Sequence, residues 1–141
     1  MEKQNLSVFL RGFAVWLIII FAEGLHGTAR LIWLQPVVGD FRARQAAVFT
    51  GVLIIFVISF LLIKWIGATR NFQLMAVGFL WLVLTFAFEV MLGRFVMQFS
   101  WKRIFSDYDI SIGGLLPFGL LFLMFAPLLA AKLKEKISRN N

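Results

Sequence analysis

The sequence predicts an all-α integral membrane protein, a bundle of four transmembrane helices with both termini in the cytoplasm. Three observations predict it. The 141 residues are 61% hydrophobic and only 15% charged, where an average soluble domain is about 45–50% apolar and 25% charged. The apolar residues gather into four continuous runs, each near the roughly 20 residues that cross a hydrocarbon core. The 14 Lys and Arg sit at or near the ends of those runs, as the flanks of membrane spans do. Mean hydropathy is +0.89. Continuous rather than alternating runs exclude a transmembrane barrel, and a span in lipid must satisfy its own backbone groups, so the runs are read as helices.

The first span covers about residues 8–27 and continues as helix to 34, where Gln35-Pro36 is expected to stop it. Lys3 and Arg11 before an apolar core give this end the outline of a signal peptide. The apolar pattern resumes at LIWL, so the segment reads as a span. The second span covers about 46–66, with Asp40 in VVGDFRARQ placed to cap it. IGATRN, 66–71, turns the chain. The third span covers about 72–92 and reaches toward 99. SWKRIFSDYDISIGG, 100–114, is the longest connection, with Asp109 or Ser111 expected to cap the next helix. The fourth span covers about 112–131, and residues 132–141 form a basic, solvated end. No internal repeat appears, so residues 1–141 read as one polytopic domain.

Orientation follows from the Lys and Arg on each side. Eight (Lys3, Arg11, Lys64, Arg70, Lys132, Lys134, Lys136, Arg139) fall with the termini and six (Arg30, Arg42, Arg44, Arg94, Lys102, Arg103) with the other side. The bias places both termini inside, with Trp33 and Trp101 at the outer interface and Trp65 at the inner one. The expected location is a bacterial cytoplasmic (inner) membrane. A net charge of +7 and a pI near 10.6 would suggest nucleic acid on a soluble chain; here the cations serve anionic headgroups, and no nucleic-acid partner is expected. Cysteine is absent, which excludes disulfides, thiolate metal sites and thiol nucleophiles.

The unusual chemistry lies in FAEGLHGTAR, 21–30. Glu23, the single histidine His26 and Arg30 are spaced i, i+3, i+7 on one helical face, and Gly24 and Gly27 between them invite a neighbouring backbone. Glu89 lies at a similar depth in the third span, which runs in the same direction. Arg94 follows about one turn further out. Asp40, Arg42, Arg44, Gln45, Asp107, Tyr108 and Asp109 belong to the two outer connections. Turning these groups inward avoids the roughly 2.5–3.5 kcal/mol or more of a lipid-facing charge. The expectation is a polar pocket that opens outward.

Glu23-Gly24-Leu25-His26 has the Glu-x-x-His spacing of carboxylate-bridged metal bundles, but those need two such motifs. Glu23, His26 and Glu89 would offer a single metal ion three ligands; the preferred reading is a hydrogen-bonded histidine, with no cofactor identified. One histidine excludes bis-histidine haem within one chain. As candidate catalytic groups, Glu23 and Glu89 form an acid/base pair, His26 a proton relay, and Arg30 and Arg94 charge stabilisers. The structural alternative is two ion pairs, Glu23–Arg30 and Glu89–Arg94. Arg42, Arg44, Arg94 and Arg30, with the acceptors Asp40, Asp107, Tyr108 and Asp109, are candidate ligand-binding residues.

The favoured function is binding without turnover. The pocket would hold a lipid headgroup, a hydrophobic quinone-like ligand or a partner helix, in a homo-oligomer or as an accessory subunit of a larger membrane complex. Second comes a membrane-embedded enzyme acting on a lipid or lipid-linked substrate. Third comes a small dimeric ion- or proton-coupled transporter, with Thr50, Ser59, Gln73 and Thr85 along its path.

Overall fold

The computed structural model describes residues 2–140. Six α-helices follow in order: α1 (Glu2–Ala29), α2 (Gln35–Val38), α3 (Asp40–Ile66), α4 (Asn71–Met91), α5 (Trp101–Ser106) and α6 (Leu116–Asn140). Two π-helical turns, Arg30–Leu34 and Leu92–Val96, extend α1 and α4. No strand occurs among the described residues. Four helical segments are long and apolar enough to cross a membrane: Glu2–Val38, Asp40–Ile66, Asn71–Val96 and Leu116–Asn140. At about 1.5 Å per residue each is longer than the roughly 30 Å hydrocarbon layer.

The helices start and stop for local reasons. Pro36 does not end the first segment. It falls in the first turn of α2, where a missing N–H costs no helical bond, and the π turn before it passes the chain on. The break comes at Gly39, whose φ of 92° is open to glycine at little cost. Asp40 does not cap α3: it is the helix's first residue, Gly39 precedes it, and no side-chain cap bond forms. Its carboxylate goes instead to two arginines. Gly67, in the left-handed region at φ 80°, closes α3. Gln73 then opens α4 by accepting from the Thr69 and Arg70 backbone N–H groups. Ser100 caps α5. Asp109 caps only the short 3-10 turn Ile110–Ile112, and α6 begins at Leu116, after it. The basic end is helical through Asn140 and, apart from the half-buried Lys134, exposed.

Around the bundle, α1 packs against α3 and α4, and α6 packs against the same two helices. Thus α1 and α6 stand at opposite corners. The apolar core lies in the half of the bundle nearest the termini, built from Val8, Val15, Ile19, Ile63, Leu74, Val77, Trp81, Leu123 and Ala126. Its two buried indoles are each satisfied across a helix interface: Trp81 Nε1 donates to Gly12 O (2.8 Å), and Trp16 Nε1 donates to Thr85 Oγ1 (2.9 Å). Close approach depends on glycine here. A Cβ on Gly78 would lie 1.7 Å from Met124 O of α6, and one on Gly12 would lie 3.1 Å from Val77 of α4. At the same end Arg11 donates to Trp65 O (3.0 Å) and Lys134 to Phe60 O (2.7 Å), tying α1 and α6 to α3. Ser59 bonds Ile55 O within its own helix, and Gln73 bonds Asn5.

Candidate functional site

In the other half of the bundle the helices part around a cavity of about 420 Å³. Its depth runs from Ile19, Ile55 and Leu123 up to Arg30, Arg44 and Asp107, some three turns of α1. The walls are mostly apolar. α1 brings Glu23 and His26, with Arg30 just beyond its end; α3 brings Arg44, Gln45 and Gly51; α4 brings Thr85 and Glu89; the 97–115 connection brings Arg103, Asp107 and Tyr108. Glu23 and Glu89 therefore line one cavity from two neighbouring helices.

The deep polar layer is a chain of contacts between α1 and α3. His26 Nε2 lies 2.6 Å from Thr50 Oγ1, and His26 Nδ1 lies 3.5 Å from Glu23 Oε2. Gly51, next to Thr50, lets the carboxyl settle against α3: a Cβ there would meet Glu23 Oε2 at 2.9 Å. Gly24 and Gly27, where a close helix contact was expected, have no atom within 4 Å of a Cβ position. They leave open space beside the cavity and seat no helix of this chain. Only the rotation of α1 about its axis decides this, and the buried Val15, Trp16 and Ile19 set that rotation. Among the described residues, no three His, Asp or Glu gather closely enough to hold a metal ion.

The outer layer is an ion-pair network. Arg44 bonds Asp107 directly and lies 3.1 Å from Asp40 Oδ2. Arg103 reaches Asp40 at 3.1 Å and covers the Phe99 ring at 3.7 Å. Gln45 donates to Gly113 O at 2.8 Å. These bonds hold the 97–115 connection against the end of the cavity, and Gly114 fits closely beneath the carbonyls of Ser106 and Asp107. Burial pushes the Asp107 carboxyl above its ordinary range, and the guanidiniums of Arg44 and Arg103 offset only part of that. Burial, with the carboxyls of Glu89 and Asp107 beside it, pushes the Tyr108 phenol far above its usual value, so it keeps its proton.

Neither expected ion pair forms. Arg30 is seven residues from Glu23, about 10.5 Å along the axis, and has no ion-pair partner among the described residues. Arg94 lies inside a π turn, which re-aims its side chain. It donates to Phe99 O (3.2 Å) and covers Trp101, outside the cavity. Arg42 does not line the cavity, and Asp109 bonds Ser111. Asp40 stands behind the wall and orients Arg44 and Arg103. Sequence reasoning missed Gly51 and placed Gln45 among the outer polar residues without its partner Gly113. The first has a signal in the chain itself: Thr50-Gly51 interrupts an otherwise apolar run.

Several polar atoms of this cavity are buried without a hydrogen-bonding partner in the protein: Glu23 Oε1, Glu89 Oε2, Arg30 Nε, Arg44 Nε and Tyr108 OH. An unmade buried bond costs about 1–3 kcal/mol, and native proteins rarely carry such groups without a use for them. The two π turns lie at this same level, after α1 and α4, and such turns are frequent at functional sites. No family model matches the chain, and no curated protein or solved structure is similar to it, so the reading of this site rests on its own chemistry.

Proposed function

We propose that this chain is a membrane-embedded binding protein that holds an amphipathic, lipid-like molecule in the cavity without transforming it. The observation that carries the reading is the set of unpartnered polar atoms on Glu23, Arg30, Arg44, Glu89 and Tyr108 around a largely apolar cavity. Apolar walls with a few convergent polar groups are the usual form of a small-molecule site. The ligand's tail contacts Ile19, Ile20, Val48 and Leu120, and its head completes the bonds the protein leaves open. The setting is a bacterial cytoplasmic membrane with both termini inside, supported by the eight-to-six division of Lys and Arg. The protein works there as a homo-oligomer or as an accessory subunit.

Native mass spectrometry of the protein released from mild detergent tests this. A retained amphiphile at one per chain is the expected result. Gly51→Val should reduce its occupancy about tenfold, because the added methyls drive the Glu23 carboxyl from its seat. The first group displaced is the flexible end of a side chain, so the stability loss should stay toward the lower end of the about 1–3 kcal/mol that overpacking costs. A protein that carries no amphiphile, and acquires none from added lipid extract, rules the reading out.

A lipid-transforming enzyme is the second reading. One observation favours it: carboxyl, imidazole and hydroxyl stand in line at Glu23, His26 and Thr50, the order in which a base is oriented against a nucleophile. Incubation with radiolabelled total lipid decides between the two, since turnover yields a new species that Glu23→Gln abolishes.

A further inference from the structure

The cavity's charge and hydrogen-bond balance narrows the ligand further; this step rests on the binding reading above. Three guanidiniums line the cavity, but two are spent. Arg44 is committed to Asp40 and Asp107, and Arg103 to Asp40. Only Arg30 has no carboxylate of its own among the described residues. Against it stand Glu23 and Glu89, neither paired with an arginine or lysine among the described residues. Glu23 has only the imidazole of His26 at 3.5 Å.

A phosphate head entering this space would meet one uncommitted cation and two carboxyls. It would gain Arg30 and the free Nε of Arg44, but it would lie against Glu23 and Glu89, or would have to draw Arg44 from Asp107 and leave that carboxylate stranded. Stranding one partner of a buried pair is strongly unfavourable, and like charges brought together oppose the wrong partner. A cationic head would suit the two carboxyls but would leave Tyr108 OH and the Arg30 and Arg44 Nε groups with nothing to donate to.

The unpartnered atoms specify the remaining chemistry. Tyr108, Arg30 and Arg44 offer protons and need acceptors. The Glu23 and Glu89 carboxyls take a hydroxyl proton when ionised, or donate one to an oxygen when neutral. A hydroxyl satisfies either side, and a carbonyl or ether oxygen satisfies the donors. The volume of about 420 Å³ is in the lower part of the roughly 300–1,000 Å³ range of small-molecule sites. It suits a compact head and the first carbons of a tail.

We infer that the ligand is an uncharged amphiphile whose compact head carries hydroxyl and carbonyl or ether oxygens, and that the cavity rejects phosphate heads. Isoprenoid quinols and acylglycerols share that chemistry. The apolar upper walls, Phe41 and Leu116, flank the head, and the slot at Gly24 and Gly27 gives the tail its way out toward the acyl chains.

Equilibrium binding to the purified protein in nanodiscs tests the inference with three labelled probes: monooleoylglycerol, oleoyl lysophosphatidate and a ubiquinol with a ten-carbon tail. The first two differ by a phosphate. At least one uncharged probe should bind ten times or more tighter than lysophosphatidate, and Gly51→Val should abolish the difference. Whichever uncharged probe is preferred identifies the source, glyceride or quinol. Lysophosphatidate binding as tightly or more tightly, and weakening on Arg30→Ala, overturns the inference while leaving an amphiphile-binding protein. If no probe saturates and Gly51→Val changes nothing, both this inference and the binding reading fail.

Discussion

Gly78→Ala is expected to destabilise the bundle by about 3 kcal/mol or more, the upper end of what overpacking costs. One methyl is the whole change. Its carbon would lie 1.7 Å from Met124 O and 2.7 Å from Met124 C. Those are backbone atoms of α6, so no rotamer can give way; the helices must separate. Separation would also loosen Val77 and Trp81, both fully buried on the same helix. Trp81 is also bonded to Gly12 O of α1, which holds α4 against the shift. In the proposed membrane setting this matters more than in water, because helix association in lipid depends on close packing rather than on hydrophobic burial. Thermal or SDS-induced unfolding of the detergent-solubilised protein measures the effect. Gly24→Ala is the matched control. Its added carbon meets nothing within 4 Å, and alanine is the better helix former by up to about 1 kcal/mol, so this variant should be neutral or slightly stabilised. Equal losses from the two substitutions would refute the packing described for α4 against α6.

That pair of glycines also marks what the sequence could and could not tell. The four long segments were legible because runs of apolar residues have no other stable use at that length. The shared level of Glu23 and Glu89 was legible too, since two segments running in one direction carry equal offsets to equal depths. Which glycine meets a neighbour was not. Gly24 and Gly78 both sit in apolar helices, and only the rotation of each helix, fixed by its partners, separates an open slot from a tight contact. Helix ends were misjudged for a related reason. Pro36 stops a regular α-helix in its interior, but at the start of a short helix after a π turn it stops nothing. The links that close the outer network, Arg44 with Asp107 and Arg103 with Asp40, were invisible because they join residues 63 positions apart; only Asp40 with Arg44 is a local i,i+4 pair. Local spacing suggested Glu23–Arg30 and Glu89–Arg94 instead, and neither forms.

Arg44→Ala should unfasten the cover of the cavity. Arg44 is the hub of the outer layer. Its side chain is 12% exposed, and it holds Asp107 of the 97–115 connection and Asp40 of its own helix at once. Removing it leaves two carboxylates facing each other's field with only Arg103 between them. Breaking a fully buried pair costs about 3–5 kcal/mol; Asp107 and Asp40 retain 24% and 36% exposure, so solvent reduces this to about 2 kcal/mol. The loss is local, because the apolar core lies at the opposite end of the bundle. Global unfolding should therefore change less than the order of the connection itself. Trypsin reads that order, since Lys102 and Arg103 lie in α5. In the intact protein, cleavage there should be slow; in Arg44→Ala it should accelerate at least tenfold, with α1, α3 and α4 still protected. Arg44→Lys should restore little, because one ammonium cannot bridge two carboxylates in the planar geometry a guanidinium supplies. Rapid cleavage of both proteins alike would mean that Arg44 does not fasten the connection. The network would then be a surface ornament of the bundle, and access to Glu23 and Glu89 would have to be controlled elsewhere, at the Gly24–Gly27 slot.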